Sequence, residues 1–256
     1  MDNNLQKNEI LFSVRGLQKR FANGFEALCG IDLDIFEREC LLIAGANGSG
    51  KTLLMRILAG LLEPTEGEIL FKGKPLGECK NIRRQVGLVF QDPDVQILGE
   101  TVEEDIRFGP ENLKLPEMEI EQRLMETLAC LKLGEKKDFT SRNLSGGEKR
   151  RLATAGILAM GCETVIMDEP FANLDWPGVV QVLKIIEGLK QSRKTIIILT
   201  HELEKVLAFA DRLVIIAGGK IRDSGNSEAV LDRLNEEWGV RDPRRVYRNA
   251  EDCTWL

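Results

Sequence analysis

Eight residues constrain this chain more than any others: Gly45-Ala46-Asn47-Gly48-Ser49-Gly50-Lys51-Thr52. They follow the apolar run Leu41-Leu42-Ile43-Ala44 and lead into residues 52–62, which read as a helix. A strand, a glycine-rich loop, a lysine and a helix in this register fit the phosphate-binding pattern G-x-x-x-x-G-K-[ST] at every fixed position. The glycines let backbone N–H groups turn inward onto phosphate oxygens, and the helix points its positive end at the same place. Gly45, Asn47, Gly48, Ser49 and Gly50 are therefore candidates to cradle a nucleotide, with Lys51 reaching its terminal phosphates. The Thr52 hydroxyl is a hard oxygen ligand suited to Mg²⁺.

Such a loop needs a carboxylate at the end of a second buried strand. Val165-Ile166-Met167-Asp168 supplies it, and Glu169 follows at once. Asp168 is the metal-side candidate, and Glu169 the general base that polarises an attacking water. The only histidine, His201, ends the apolar run 195–200, at the edge where ligands gather in parallel α/β sheets. From there it can hydrogen-bond a γ-phosphate. An acidic pair or a histidine at a strand end is a weak signal alone and gains meaning from the loop.

The rest of the chain frames these segments. Residues 11–15 and 31–35 alternate apolar and polar positions, as half-buried antiparallel strands do, and residues 68–71 read as a further strand entering a turn. Between 116 and 133, Ile120, Leu124, Leu128 and Leu131 recur at helical spacing. Residues 164–167 and 195–200 are continuous apolar strands of the fully buried kind, with a helix between them striped by Val179, Leu183, Ile186 and Leu189. Residues 213–221 read as a hairpin. Strands alternating with helices imply a parallel α/β core with an antiparallel piece at one end.

The net charge of −6 is spread along the chain, which argues against a nucleic-acid partner. Residues 1–11 lack a signal-peptide pattern, and no apolar run approaches the roughly 20 residues that span a bilayer. Any service to a membrane is expected to go through a partner. The six cysteines include no Cys-x-x-Cys pair, so reduced thiols are expected rather than disulfides or zinc.

Leu144-Ser145-Gly146-Gly147-Glu148-Lys149-Arg150-Arg151 narrows the class. It resembles the LSGGQ signature of ABC ATPases and precedes the acidic pair at that family's spacing. Phe21 stands where these proteins place an adenine-stacking aromatic, with Phe25 as a rival. Gln91 matches the Q-loop glutamine that touches metal and water. Ala172-Asn173-Leu174-Asp175 matches the D-loop, and Thr200-His201 the H-loop switch. The departures are Glu148 for the commoner glutamine, Arg38 for a glycine, and Phe171-Ala172-Asn173 for a run of small residues.

The resemblance implies an α/β P-loop NTPase fold, the ABC nucleotide-binding domain. It has a parallel-sheet core, an N-terminal antiparallel β subdomain and an inserted helical subdomain at about residues 92–160. The domain would span residues 1–235, with 236–256 as a short tail that resembles nothing interpretable. The family also implies ATP and Mg²⁺ as ligands, with Thr52, Gln91 and Asp168 on the metal. Lys51, Gln91, Glu169 and His201 would act in hydrolysis. Ser145, Gly146 and Gly147 of one subunit would contact the nucleotide held by a second, in a homodimer or heterodimer.

Residues 86–96, Val-Gly-Leu-Val-Phe-Gln-Asp-Pro-Asp-Val-Gln, look like the extended Q-loop of energy-coupling-factor importers, with Gln96 as the most diagnostic position. Residues 101–106, 108–113 and 155–160 continue that match. This group takes up vitamins and transition-metal ions such as cobalt and nickel. It implies a transmembrane coupling protein, a substrate-binding membrane protein, and a peripheral place on the cytoplasmic face of the membrane. The alternatives are a soluble ABC ATPase of iron–sulfur cluster assembly and the ATPase of another ABC transporter class.

Overall fold

Strands β1 (Ile10–Arg20) and β2 (Glu26–Phe36) form an antiparallel hairpin in a computed structural model that describes residues 9–244. The alternation along β1 is broken where its register slips between Val14 and Leu17, at Gly16 with φ 57°. A bulge of this kind re-aims side chains, so Val14 and Leu17 are both buried, and a second slip between Ile10 and Phe12 accompanies the burial of both Leu11 and Phe12. Next come β3 (Cys40–Ala44) and helix α1 (Lys51–Leu58). The helix is shorter than its apolar pattern suggests, because Gly60 (φ 68°) turns the chain away two residues later. Strands β4 (Glu66–Phe71) and β5 (Lys74–Pro75) complete a four-stranded sheet of order β2-β1-β4-β5.

Helix α2 (Ile82–Gln85) leads into β6 (Val86–Val89). Three mutually packed helices follow: α3 (Val102–Asn112), α4 (Glu117–Cys130) and α5 (Gly146–Ala159). The stripe Ile120, Leu124, Leu128 and Leu131 is buried as its spacing predicts. Then β7 (Thr164–Asp168), α6 (Trp176–Gln191), β8 (Thr195–Leu199) and the short α7 (Leu203–Val206) return the chain to the core. The hairpin β9 (Arg212–Ala217) and β10 (Lys220–Gly225) precedes α8 (Ser227–Asp232). On α6 the buried face runs through Val179, Val182, Ile185, Ile186 and Leu189, leaving Leu183 half-buried, because the helix meets the sheet about one position round from the expected stripe.

The second sheet has the order β10-β9-β3-β8-β7-β6, parallel except for the edge strand β10. Its centre explains the unbroken apolar runs. Leu41 and Ile43 of β3 face a core shared with the antiparallel sheet, while Cys40, Leu42 and Ala44 face a core shared with the helices. Both faces are covered, so every residue of β3, β7 and β8 is buried. Past residue 235, Val240 is buried and Gly239 lies against Ala46. The last part of the expected tail, with Cys253, falls outside the described residues. Among the described residues no helix is long and apolar enough to cross a membrane.

Candidate nucleotide-binding site

Register brings the sequence-predicted groups to one edge. Strands β3, β8 and β7 lie side by side, with Ile43 and Asp168 both opposite Leu199. The segments leaving their C-terminal ends therefore emerge together: residues 45–52, Asp168-Glu169 and Thr200-His201.

The loop after β3 is built against its surroundings. A Cβ on Gly45 would stand 2.1 Å from the Ile216 carbonyl oxygen, so no larger residue fits there. Gly50 has φ 106°, and a Cβ on it would lie 2.8 Å from the Ala27 carbonyl oxygen of β2. The Ser49 hydroxyl is buried with no hydrogen-bond partner among the described residues, as expected of a group whose acceptor is a ligand. Lys51, also buried, donates to the Gly45 and Ala46 carbonyl oxygens at 2.6 and 3.2 Å. Burial pushes its pKa down, and the charges of Glu169 and Asp168 push back. Asn47 and Gly48 complete the loop, Asn47 exposed and Gly48 at φ 79°.

The Thr52 hydroxyl lies 2.9 and 3.1 Å from the two carboxylate oxygens of Asp168. Burial raises the Asp168 pKa, the Thr52 hydrogen bond opposes the rise, and the neighbouring Glu169 charge adds to it. Glu169 leaves β7 in a left-handed conformation, φ 46°, with its N–H donating to the Leu199 carbonyl oxygen at 2.8 Å. That turn aims its buried carboxylate at His201 Nδ1, 3.1 Å from each oxygen, with Lys51 Nζ 3.8 Å away. Thr200 is fully buried, and its hydroxyl accepts from the Glu202 N–H at 3.0 Å. It shapes the turn that presents His201.

The other predicted residues lie on neighbouring segments. Phe21 and Phe25 stack on each other in the β1–β2 turn, ring centroids 6.4 Å apart, and both are exposed. Gln91, just past β6, has an exposed side chain. Ser145 caps α5 in a reciprocal box with Glu148, whose carboxylate also takes a 2.5 Å bond from Lys136. That ion pair, helped by the Ser145 contacts against burial, holds the Glu148 pKa down to about 2. A Cβ on Gly146 or Gly147 would meet nothing within 4 Å among the described residues, and neither has positive φ, so the packing of those residues asks for neither glycine. A cleft of about 420 Å³ opens between these glycines and Asn173-Leu174-Asp175. Asp175 caps α6 by accepting from the Gly178 N–H at 2.9 Å.

Sequence reasoning does not single out the contacts of Gln96 and Arg150. The Gln96 side chain accepts from the Phe90 N–H at 3.0 Å and donates to the Ala153 carbonyl oxygen at 3.3 Å, joining the exit of β6 to α5. Arg150 is almost fully buried, whereas its neighbours Lys149 and Arg151 make a charged run that reads as a solvated face. The one available signal is its place five residues past Ser145.

The ABC transporter family model matches residues 28–172, from β2 through the signature cleft to the start of the 172–175 turn. The chain belongs to the ABC transporter family. It is an ABC-type ATPase that binds ATP, and its fold is that family's P-loop architecture. Among its relatives is the energy-coupling factor transporter ATP-binding protein EcfA of Methanocaldococcus jannaschii, 40% identical over 86% of this chain and 81% of that protein. The cobalt import ATP-binding protein CbiO of Rhodobacter capsulatus is 39% identical over 91% of this chain and 85% of its own length. Among solved structures, CbiO1 from Clostridium perfringens, described as part of the ABC transporter complex CbiONQ, superposes with a TM-score of 0.80. It is 36% identical, covering 88% of this chain and 91% of that one.

Proposed function

We propose that this chain is the ATP-hydrolysing subunit that energises an energy-coupling-factor importer for a vitamin or a transition-metal ion such as cobalt or nickel. The observation that carries the hydrolytic part is the convergence of Lys51, Thr52, Asp168, Glu169 and His201 at the ends of three adjacent parallel strands. The importer part rests on the EcfA and CbiO relatives, whose names favour a transporter over a soluble iron–sulfur assembly ATPase.

In this reading Lys51 and the loop N–H groups hold the β- and γ-phosphates, and an aromatic of the Phe21–Phe25 turn stacks on adenine. The oxygens of Thr52 and Asp168, with Gln91, are a hard donor set that suits Mg²⁺, which when bound neutralises phosphate charge. Glu169 accepts a proton from the water whose oxygen bonds to the γ-phosphorus. The bond from that phosphorus to the departing ADP oxygen breaks, and His201 holds the Glu169 carboxylate in line.

Gly146 and Gly147 support a two-subunit site. Glycine at the start of a helix weakens it, and nothing among the described residues of this chain requires it there. Close approach of a second subunit's bound nucleotide supplies the reason, in a closed two-fold dimer. The chain would sit peripherally at the cytoplasmic face of the membrane, against a transmembrane coupling protein joined to a separate substrate-binding membrane protein. No nucleic acid takes part.

The test is to tag the full chain in its own cells, isolate it from detergent-solubilised membranes, and identify the proteins and small molecule that accompany it. An integral-membrane partner and a bound vitamin or metal ion are expected. Recovery of a soluble iron–sulfur assembly complex instead sinks the importer reading.

A further inference from the structure

Arg150 lies on the second turn of α5, and its side chain runs inward until only 5% of the residue is exposed. Its guanidinium meets three backbone carbonyl oxygens. Nη1 donates to Glu169 at 2.8 Å, and Nη2 donates to Gln91 at 2.9 Å and Ala172 at 3.2 Å. These carbonyls belong to the exit of β6 and, remote from it in sequence, to the turn after β7 that leads to Asp175.

A buried cation whose hydrogen bonds to Glu169, Gln91 and Ala172 all go to neutral carbonyls is a poor choice for stability alone, since desolvation opposes the charge and the nearby Asp92 charge only partly offsets it. The guanidinium has another virtue. It is planar and rigid, and its N–H groups fix several acceptors at defined angles, which an ammonium cannot do. The acceptor that matters most is Glu169. A non-glycine residue at φ 46° is held against its own preference, so both ends of its backbone must be tied. Leu199 ties the N–H, and the carbonyl accepts from Arg150 at 2.8 Å and from the Ala172 N–H at 3.2 Å.

We infer that Arg150 is a positioning residue for hydrolysis, which sets the direction of the Glu169 carboxylate and locks it to α5. The helix that begins at Ser145 thereby holds the base through one side chain. Two further links bind the same helix to the segment after β6: Lys149 pairs with Asp94 at 2.6 Å, and Gln96 reaches the Ala153 carbonyl. A partner that moves either element moves Glu169. The inference rests on Glu169 as the general base.

The experiment compares full-length wild-type chain with Arg150→Met, Arg150→Lys and Glu169→Gln. It measures kcat and KM for ATP hydrolysis and the affinity for a fluorescent ATP analogue. A displacement of the base by about 1 Å lowers kcat in Arg150→Met about 100-fold, while KM and nucleotide affinity stay within about threefold. Arg150→Lys retains a cation without the fork and falls between, at about tenfold. A kcat within about twofold of wild type in Arg150→Met overturns the inference. So does parallel loss of nucleotide binding and turnover, or failure of both Arg150 variants to fold, since each assigns the residue to folding alone. Near-normal turnover in Glu169→Gln defeats the general-base reading instead, which separates the two failures.

Discussion

His201 Nδ1 stands 3.1 Å from each carboxylate oxygen of Glu169. The contact is made by two residues that end neighbouring strands, and each is aimed by its own turn: the left-handed backbone of Glu169 and the buried Thr200 hydroxyl before His201. Lys51, at the start of α1 just past β3, approaches the same carboxylate. With Glu169 as the proposed base, a carboxylate so surrounded is oriented before any water arrives, which removes reorganisation from the reacting step.

Glu169→Gln keeps the size of the side chain and a hydrogen bond to His201 but cannot accept a proton. Turnover is expected to fall by about 10²- to 10⁴-fold with ATP affinity retained. The variant should accumulate as an ATP-bound dimer on size-exclusion chromatography. Phosphate release near the wild-type rate would remove Glu169 from the role of base.

How much of this was legible in the residues depends on how local each feature is. The phosphate loop reads directly, because strand, glycines, lysine and helix are contiguous and each has its own chemical reason. The strands β3, β7 and β8 read as buried because both of their faces are covered, so burial leaves no alternation to misread. The bulge at Gly16 and the rotation of α6 away from Leu183 escaped, since tertiary packing sets both. Arg150 was least legible of all. Its environment consists of carbonyls 59, 19 and 22 residues away in sequence, and backbone carbonyls carry no sequence signature.

Asp168→Asn should stabilise the nucleotide-free protein while destroying its response to Mg²⁺ and ATP. Burial raises the Asp168 pKa above its ordinary 3.8. A raised carboxyl pKa means stability that is complete below the ordinary value and is lost as pH rises through the folded one. Asparagine escapes that loss, so urea denaturation at neutral pH should show a gain in stability that vanishes below about pH 4. Equal stability of the two proteins at pH 8 would mean that this carboxylate carries no strain.

Glu148→Gln should destabilise the protein at neutral pH by about 1–2 kcal/mol, discounting for the partial exposure of Lys136. The bond from Lys136 is the chief cause that holds the Glu148 pKa near 2, against an ordinary 4.5. A depressed carboxyl pKa contributes stability above the ordinary value and loses it as pH falls towards the folded one. The difference between variant and wild type should therefore shrink between pH 4.5 and about 2. A gap that is constant with pH would point to helix capping rather than to the ion pair.

Gln96→Leu removes both the acceptor for the Phe90 N–H and the donor to the Ala153 carbonyl oxygen. The Ala153 carbonyl keeps its helical bond within α5, but leaving the Phe90 N–H unpaired costs about 1–3 kcal/mol, readable as a lower urea midpoint with an unchanged slope. The functional consequence follows from where the side chain sits. It joins the exit of β6 to α5, the helix that begins at Ser145, so a push on residues 92–98 reaches that helix through it. In vesicles containing the whole importer, substrate taken up per ATP hydrolysed should fall by about threefold or more, because the tie that couples the two movements is gone. Transport and hydrolysis that decline together would place Gln96 in folding only, and an unchanged ratio at unchanged stability would leave it no role in the coupling.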